Sequence, residues 1–182
     1  MTKTYAFQNE ITGEDIKTLR HSLNLTQAEF SELVCVSKKT IERWEGGTEA
    51  ITGPITRLVR LLWENNQISE RYMIPPQTLP LRIEYYYKNT LCTVIDVDDI
   101  NQQIKTYNYT GKYHYRAFGS NEWPSYEDYS EFLESRCFPR TRDKMKLILE
   151  DLNLPFYDPL MIIEKTGGRM AEDDFRLEVK RL

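Results

Sequence analysis

The pattern of apolar and polar positions changes near residue 74. Residues 11–66 carry apolar side chains at helical spacing, in short segments separated by capping and turn residues. After residue 80, apolar and aromatic side chains alternate with polar ones, as is typical of strands. Between them, Met73 to Pro80 holds three prolines in six positions, and proline cannot continue a helix. The pattern predicts a helical domain at 1–72, a Pro-rich linker at 73–80 and a second domain at 81–182.

The N-terminal part is predicted to form four or five short helices. Ile16, Leu19 and Leu23 fall at positions i, i+3 and i+7, which places them on one face of a first helix. The run Thr26-Gln27-Ala28-Glu29 has the spacing of a capping box, in which a hydroxyl and a carboxylate cap the helix start. A second helix is therefore expected from this run to Cys35.

A third helix is predicted over Lys38 to Trp44, with Ser37 as its N-cap and Trp44 facing the core. Gly46-Gly47 is expected to stop it by supplying positive φ at little steric cost. Pro54 suits the first position of a further helix. Two helices joined by a tight turn have the geometry of a helix-turn-helix.

The residues from Leu25 to Gly47 resemble the Xre/Cro family of DNA-binding domains. Gly53-Pro54 and Arg57 to Leu62 resemble the branch of that family found in antitoxins. The resemblance covers about residues 11–66, and it implies that the third helix enters the major groove of operator DNA. It also implies a homodimer on a palindromic operator. One residue departs from the pattern: Cys35 stands where the family usually has glycine, so a left-handed conformation or a more open turn is expected.

Polar side chains on the outer face of the third helix form the predicted DNA interface. Arginine and lysine can pair with guanine, and serine and threonine reach bases or phosphates. Gln27 resembles the family position that contacts a phosphate or a flanking base. The alternative is an ordinary solvated helix face. The predicted DNA-binding residues are Gln27, Ser37, Lys38, Lys39, Thr40 and Arg43.

The C-terminal part is predicted to be an antiparallel sheet covered by helices. The expected fold class is thus an all-α helix-turn-helix domain followed by a small α+β domain. The predicted strands are 81–87, 91–97, 104–109, 113–118 and 175–179, with 104–118 as a second hairpin around Gly111. The predicted helices are 126–135, 140–152 and 159–165.

Three arginines near Pro139, namely Arg136, Arg140 and Arg142, are the predicted partner-binding residues. Such a cluster could bind phosphate or an acidic protein surface. Neighbouring carboxylates partly neutralise it, and a solvated face is an equal alternative.

Residues 118–176 are similar to the N-terminal segment of HipA-family kinase-like toxins. The similarity rests on Arg136 to Arg142, Pro159-Leu160 and Glu164 to Phe175, although Glu172 to Phe175 departs from the family's usual ending. The kinase core does not follow in this sequence. The resemblance therefore implies a module that accompanies such a kinase, with a HipA-like toxin as the expected partner.

Composition narrows the function classes. Three cysteines and two histidines exclude a disulfide framework and make a histidine-based metal or triad site improbable, so no metal and no cofactor are predicted. The sequence contains no apolar run near 18 residues and no apolar segment in its first ten, so a cytoplasmic protein without a membrane span is expected. The net charge of −4 does not exclude nucleic acid as a partner, because positive charge can be concentrated locally.

These observations favour an autorepressing, antitoxin-type transcriptional regulator whose C-terminal domain binds a partner protein. The alternative is a DNA-binding regulator whose C-terminal domain senses a small ligand or only mediates dimerisation. An enzyme is not expected, because the sequence contains no P-loop, GxSxG or HExxH motif and no Cys-His constellation.

Overall fold

A computed structural model describes residues 5–182 and divides into two compact units. The first unit ends at Met73 and the second spans Ile74–Leu182. The first four residues of the predicted N-terminal domain lie outside the described residues. The predicted fold class is confirmed: helices that include a helix-turn-helix are followed by helices and an antiparallel sheet.

The first unit contains five helices and a two-stranded antiparallel sheet within the described residues. In the sheet, Ile11 pairs with Ile51. The elements are β1 Glu10–Ile11, α1 Gly13–Ser22, α2 Gln27–Leu33, α3 Lys38–Gly46, β2 Ile51–Thr52, α4 Pro54–Glu64 and α5 Gln67–Tyr72.

Hydroxyl caps define the starts of the first three helices. Thr12 and Thr26 each accept a hydrogen bond from the backbone amide three residues later, and the predicted capping box at Thr26 is confirmed. Ser37 caps α3 as predicted. The end of α2 differs: the helix stops at Leu33, because the following residues tighten into the turn.

The expectation of positive φ at Gly46-Gly47 is wrong. Helix α3 continues through Gly46, and Gly47 has an extended backbone with φ of −94°. The chain leaves the helix in the direction of β2, so a left-handed turn is not needed there. Positive φ occurs instead at Gly53, with φ of 93°, directly before Pro54 opens α4.

The core of the first unit is built from the predicted apolar positions. A methyl group at Gly13 would lie 2.0 Å from the carbonyl oxygen of Trp44, so the start of α1 lies against the end of α3. Trp44 itself is partly buried against the core. The buried apolar residues are Ile11, Ile16, Leu19, Phe30, Val34, Ile41, Ile51, Val59 and Leu62.

The second unit is a four-stranded antiparallel sheet with strand order β5-β4-β3-β6. One sheet face and helices α6 and α8 contribute to a single apolar core, which includes Ile83, Ile95, Tyr129 and Ile163. The elements are β3 Leu81–Tyr87, β4 Thr90–Asp98, β5 Gln103–Asn108, α6 Tyr126–Ser135, α7 Met145–Asp151, α8 Pro159–Thr166 and β6 Phe175–Arg181.

The opposite sheet face carries charged pairs. Arg82 Nε donates to Asp96 Oδ1 at 2.6 Å, and both side chains are buried. Arg82 Nη2 also donates to the carbonyl of Pro75 at 2.9 Å. The Pro-rich segment after Ile74 therefore packs on this face of its own unit.

Two predicted elements of this unit are wrong. The expected strand at 113–118 is a short 3₁₀ helix, Tyr113–Tyr115, because the Arg116 guanidinium donates to the carbonyl of Thr110 at 2.9 Å and curls the chain back. The helix expected from residue 140 begins only at Met145. Lys144 has a left-handed φ of 57°, which interrupts a helix before that residue.

The helix predicted at 126–135 is confirmed, and the last strand extends further than predicted, to Arg181. Among the described residues, no helix is both long and apolar enough to cross a membrane.

Candidate nucleic-acid interface

The turn between α2 and α3 is held by three backbone hydrogen bonds. Val34, Cys35 and Val36 donate to residues of α2 at 3.0, 3.2 and 3.0 Å. Cys35 has φ of 56°, which is the left-handed conformation, one of the two alternatives expected for a residue other than glycine at this position. Val36 is partly buried against the core. The orientation of α3 is thereby fixed relative to α2.

Helix α3 presents one charged face to solvent. Ile41 is fully buried, which turns Lys38, Lys39, Glu42 and Arg43 outward. Lys38 Nζ lies 3.4 Å from Glu42 Oε1, so its charge is partly offset. Within the described residues, neither Lys39 nor Arg43 forms an ion pair. Two cations on this helix are therefore available to an anionic ligand.

Ser37 and Thr40 are engaged with each other. Ser37 Oγ accepts from the Thr40 amide at 3.2 Å and lies 2.8 Å from Thr40 Oγ1. Ser37 is exposed and Thr40 is half-buried. Both hydroxyls are held at the start of α3, and each keeps further hydrogen-bonding capacity.

Gln27 lies in a buried network rather than free at the surface. Its Nε2 donates to Glu45 Oε2 at 2.9 Å. Glu45 accepts from Arg20 Nε at 2.7 Å and from Arg20 Nη2 at 3.0 Å. Arg20 also donates to the carbonyl of Leu25 at 3.0 Å. One carboxylate thus joins α1, α2 and α3.

The electrostatics of this network favour the charged carboxylate. Burial raises the pKa of Glu45, but the hydrogen bonds from Arg20 and Gln27 outweigh it, and the pKa lies below its ordinary value. The hydrogen bond to Glu45 raises the pKa of Arg20. Sequence reasoning missed this pair, because its members are 25 positions apart. The one available signal was a charged residue, Arg20, on the inward side of α1 beside Ile16 and Leu19.

The three predicted partner-binding arginines have different surroundings. Arg136 is buried, donates to both oxygens of Asp173 at 2.7 and 3.0 Å, and also donates to the Gly168 carbonyl. Arg140 is exposed and pairs with Glu134 at 2.9 Å. Arg142 is exposed, with its guanidinium 5.9 Å from the ring centre of Phe138. In the part of the chain that the structure covers, Arg142 has no ion-pair partner.

Within residues 5–182, no group of three or more His, Cys, Asp or Glu side chains is placed so that it could hold a metal ion. The cysteines are unpaired, and Cys92 and Cys137 are buried. Burial raises the pKa of the Cys137 thiol to about 12, so it is protonated at neutral pH.

Comparison with known proteins identifies a helix-turn-helix in the same segment. A helix-turn-helix family matches residues 16–55. Antitoxin PezA of Streptococcus pneumoniae serotype 4 is 25% identical to this chain over 97 residues, which are 53% of this chain and 60% of PezA. The match thus spans less than two thirds of that relative. The chain carries a helix-turn-helix DNA-binding segment, as predicted, while the likeness of residues 118–176 to HipA-family toxins stays a prediction.

Proposed function

We propose that this protein is a sequence-specific DNA-binding repressor of its own operon, of the antitoxin type, whose second unit binds a partner protein. The observation that carries the DNA-binding part is the outer face of α3. It bears Lys39 and Arg43 without ion-pair partners among the described residues, beside Ser37, Lys38 and Thr40.

Each of these side chains has a role suited to its chemistry. Arg43 projects from an exposed helix position, and a guanidinium can donate two parallel hydrogen bonds to O6 and N7 of guanine. Lys38 and Lys39 lie one turn earlier and contact phosphates. Ser37 and Thr40 add hydroxyl contacts to bases or phosphates. Gln27, held by Glu45, orients α2 against α3 and keeps its amide oxygen for a flanking contact.

A homodimer completes this proposal. One recognition helix buries too little surface for tight specific binding. Two copies on a palindromic operator would place their α3 helices in successive major grooves, about 34 Å apart.

Two observations support a protein partner for the second unit. The similar protein PezA is named an antitoxin. In addition, Ile100 and Trp123 are each 92% exposed, and aromatic residues such as tryptophan are enriched at protein interfaces. The Tyr126 hydroxyl donates to Asp99 at 3.1 Å, which ties the turn carrying Ile100 to the start of α6. A HipA-like toxin encoded beside the gene is the partner we propose.

A footprint on the DNA upstream of the protein's own gene tests the operator. We expect protection of a short palindrome by the full chain, and an altered pattern or tighter binding when the neighbouring gene product is added. Protection of no discrete site would contradict the repressor function.

Co-expression with the neighbouring gene product, followed by size-exclusion chromatography, tests the partner. We expect one complex that elutes before either protein alone. Separate elution of the two proteins, with a stable dimer of this chain, would instead support a second unit that only dimerises. The double variant Trp123→Ser, Ile100→Ser is expected to weaken the complex with the partner without changing operator binding.

A further inference from the structure

The second unit contains a cavity of about 340 Å³ between the segment that follows α6 and the segment that ends and follows α8. This volume lies within the range of ligand pockets in proteins. Apolar side chains contribute to its lining, namely Phe138, Ile162, Met170 and Ala171.

One wall of the cavity is preformed. Arg136 is fixed by Asp173 and by the carbonyl of Gly168, which together accept four hydrogen bonds from its guanidinium. Gly168 has φ of 58°, and a methyl group there would lie 2.5 Å from a side-chain carbon of Leu177. This wall therefore does not have to be ordered when a ligand binds.

Two arginines at the cavity have no ion-pair partner among the described residues. They are Arg142 and Arg169, which come from the two opposite segments, and both are exposed. The lining contains one carboxylate, Glu172, whereas Arg136 is already neutralised by Asp173. The rim therefore carries an excess of positive charge around an apolar interior.

We propose that this cavity receives an apolar side chain from an acidic segment of the partner protein, whose carboxylates pair with Arg142 and Arg169. This inference rests on the proposed function of the second unit. It gives the three arginines of the predicted cluster different roles. Arg142 binds the partner together with Arg169. Arg136 instead forms part of the cavity wall, and Arg140 pairs with Glu134.

The composition of the cavity favours such a segment over other anions. A free phosphate would gain nothing from Phe138 and Met170, and a nucleic-acid backbone would bring successive phosphates against Glu172. A carboxylate-bearing segment with an apolar side chain uses both parts of the site, because guanidinium–carboxylate pairing is bidentate and the apolar group leaves water.

Fluorescence anisotropy of the full chain with labelled peptides tests the inference. Each labelled peptide has a central phenylalanine, leucine or alanine. The two residues that flank it are acidic in the first probe set, amide-bearing in the second and basic in the third. We expect saturable binding of the acidic phenylalanine or leucine peptides, at least tenfold tighter than that of the amide or alanine peptides. Equal binding of acidic and amide peptides, or no binding of any set, would overturn the inference.

The double variant Arg142→Gln, Arg169→Gln is expected to lose that binding by at least tenfold. The control is Arg140→Gln, which removes an exposed arginine of the same segment that pairs with Glu134. Because all three arginines are exposed, each variant is expected to fold, and circular dichroism checks it. A double variant that folds and binds the peptides as well as the control does would rule out the cavity.

Failure of this inference is distinguishable from failure of the proposed function. The peptide assay needs no partner, so it decides the cavity even where no neighbouring protein co-elutes. Conversely, a partner complex that the double variant forms with unchanged affinity would leave the partner function intact and overturn only the cavity.

Discussion

At the residue scale, DNA binding depends less on how many cationic side chains the first unit carries than on whether they are free of ion pairs, as Lys39 and Arg43 are among the described residues. Lys38 on the same helix is within 3.4 Å of Glu42, and Arg60 on α4 pairs with Glu64 at 2.6 Å. An arginine that is already paired must break that contact before it binds DNA. Arg43 has no such contact among the described residues, and its neighbour Ile41 anchors the helix in the core.

Arg43→Ala is expected to weaken operator binding by about 1–3 kcal/mol for each half-site, because a guanidinium that reads a base is lost. The measurement is an anisotropy titration with the footprinted operator. Arg71→Ala removes an exposed arginine from α5 and serves as the control, with little change expected. Unchanged affinity of Arg43→Ala would remove this residue from the interface.

At Cys35, the backbone conformation decides how a substitution changes stability. Its φ of 56° is a conformation that costs a non-glycine residue about 1 kcal/mol or more. Cys35→Gly is therefore expected to raise the free energy of unfolding by up to about 1 kcal/mol, since glycine adopts this conformation freely. Cys35→Ala, measured beside it by urea unfolding, should change stability little. A destabilised glycine variant would mean that the exposed thiol side chain contributes packing.

At the element scale, the network of Arg20, Gln27 and Glu45 fixes the recognition helix. The Glu45 side chain is only 6% exposed, and it bonds to residues of two other helices. Three short helices have little contact area each, so a shared carboxylate adds directional hydrogen bonds to their apolar packing.

Glu45→Gln is expected to destabilise the first unit by about 3 kcal/mol, because the buried Arg20 guanidinium loses its counter-charge. Glu42→Gln on the same helix is the control, since an exposed pair contributes less than about 1 kcal/mol. Urea unfolding followed by circular dichroism compares the two. Equal stability of both variants would show that the network does not hold the helices together.

The same carboxylate predicts an acid dependence. The folded pKa of Glu45 lies below its ordinary value of 4.5, so its charge stabilises the fold fully above that pH. This contribution is lost as the pH falls through the lowered folded pKa. Asp173 behaves alike, because the hydrogen bond from Arg136 lowers its pKa. Unfolding midpoints between neutral pH and pH 3 should fall steeply at the acid end for the native protein, and less for Glu45→Gln.

Helix and strand boundaries show where local sequence patterns are enough to predict an element. The capping boxes at Thr26 and Ser125 define helix starts through neighbouring residues alone, and both predicted helices occur. The residues after Gly111 have the alternation of a strand, yet they form a 3₁₀ turn because Arg116 bonds back to Thr110. Alternation reports which side chains suit a sheet, whereas it does not encode a hydrogen bond such as that from Arg116 to the carbonyl of Thr110.

At the scale of the whole molecule, the net charge of −4 bears on specificity rather than on whether DNA binds. Non-specific binding depends on the total attraction to phosphates, which is weak for an acidic chain. Specific binding depends on where the few free cations lie. Charge concentrated on one helix therefore favours one operator over bulk DNA.

The salt dependence of operator binding tests this distribution. If two copies neutralise four to six phosphates, the slope of log K against log salt concentration is expected to be about −4 to −5. A scrambled duplex should bind at least about a thousandfold more weakly. Lys39→Ala should reduce the slope by about two while the preference for the operator is kept. A slope near zero, or equal binding of both duplexes, would contradict the charge distribution.

The sequence by itself determined the helix-turn-helix, because its caps, apolar spacing and turn depend on residues within a few positions of each other. It also identified the outer face of α3, since Ile41 fixes the rotation of that helix. The tertiary structure alone decided which charges are free. Arg20 reaches Glu45 across 25 positions, and Arg136 reaches Asp173 across 37. Whether a guanidinium binds DNA, binds a partner or holds the fold depends on the carboxylates that folding brings to it, and sequence spacing does not encode those distances.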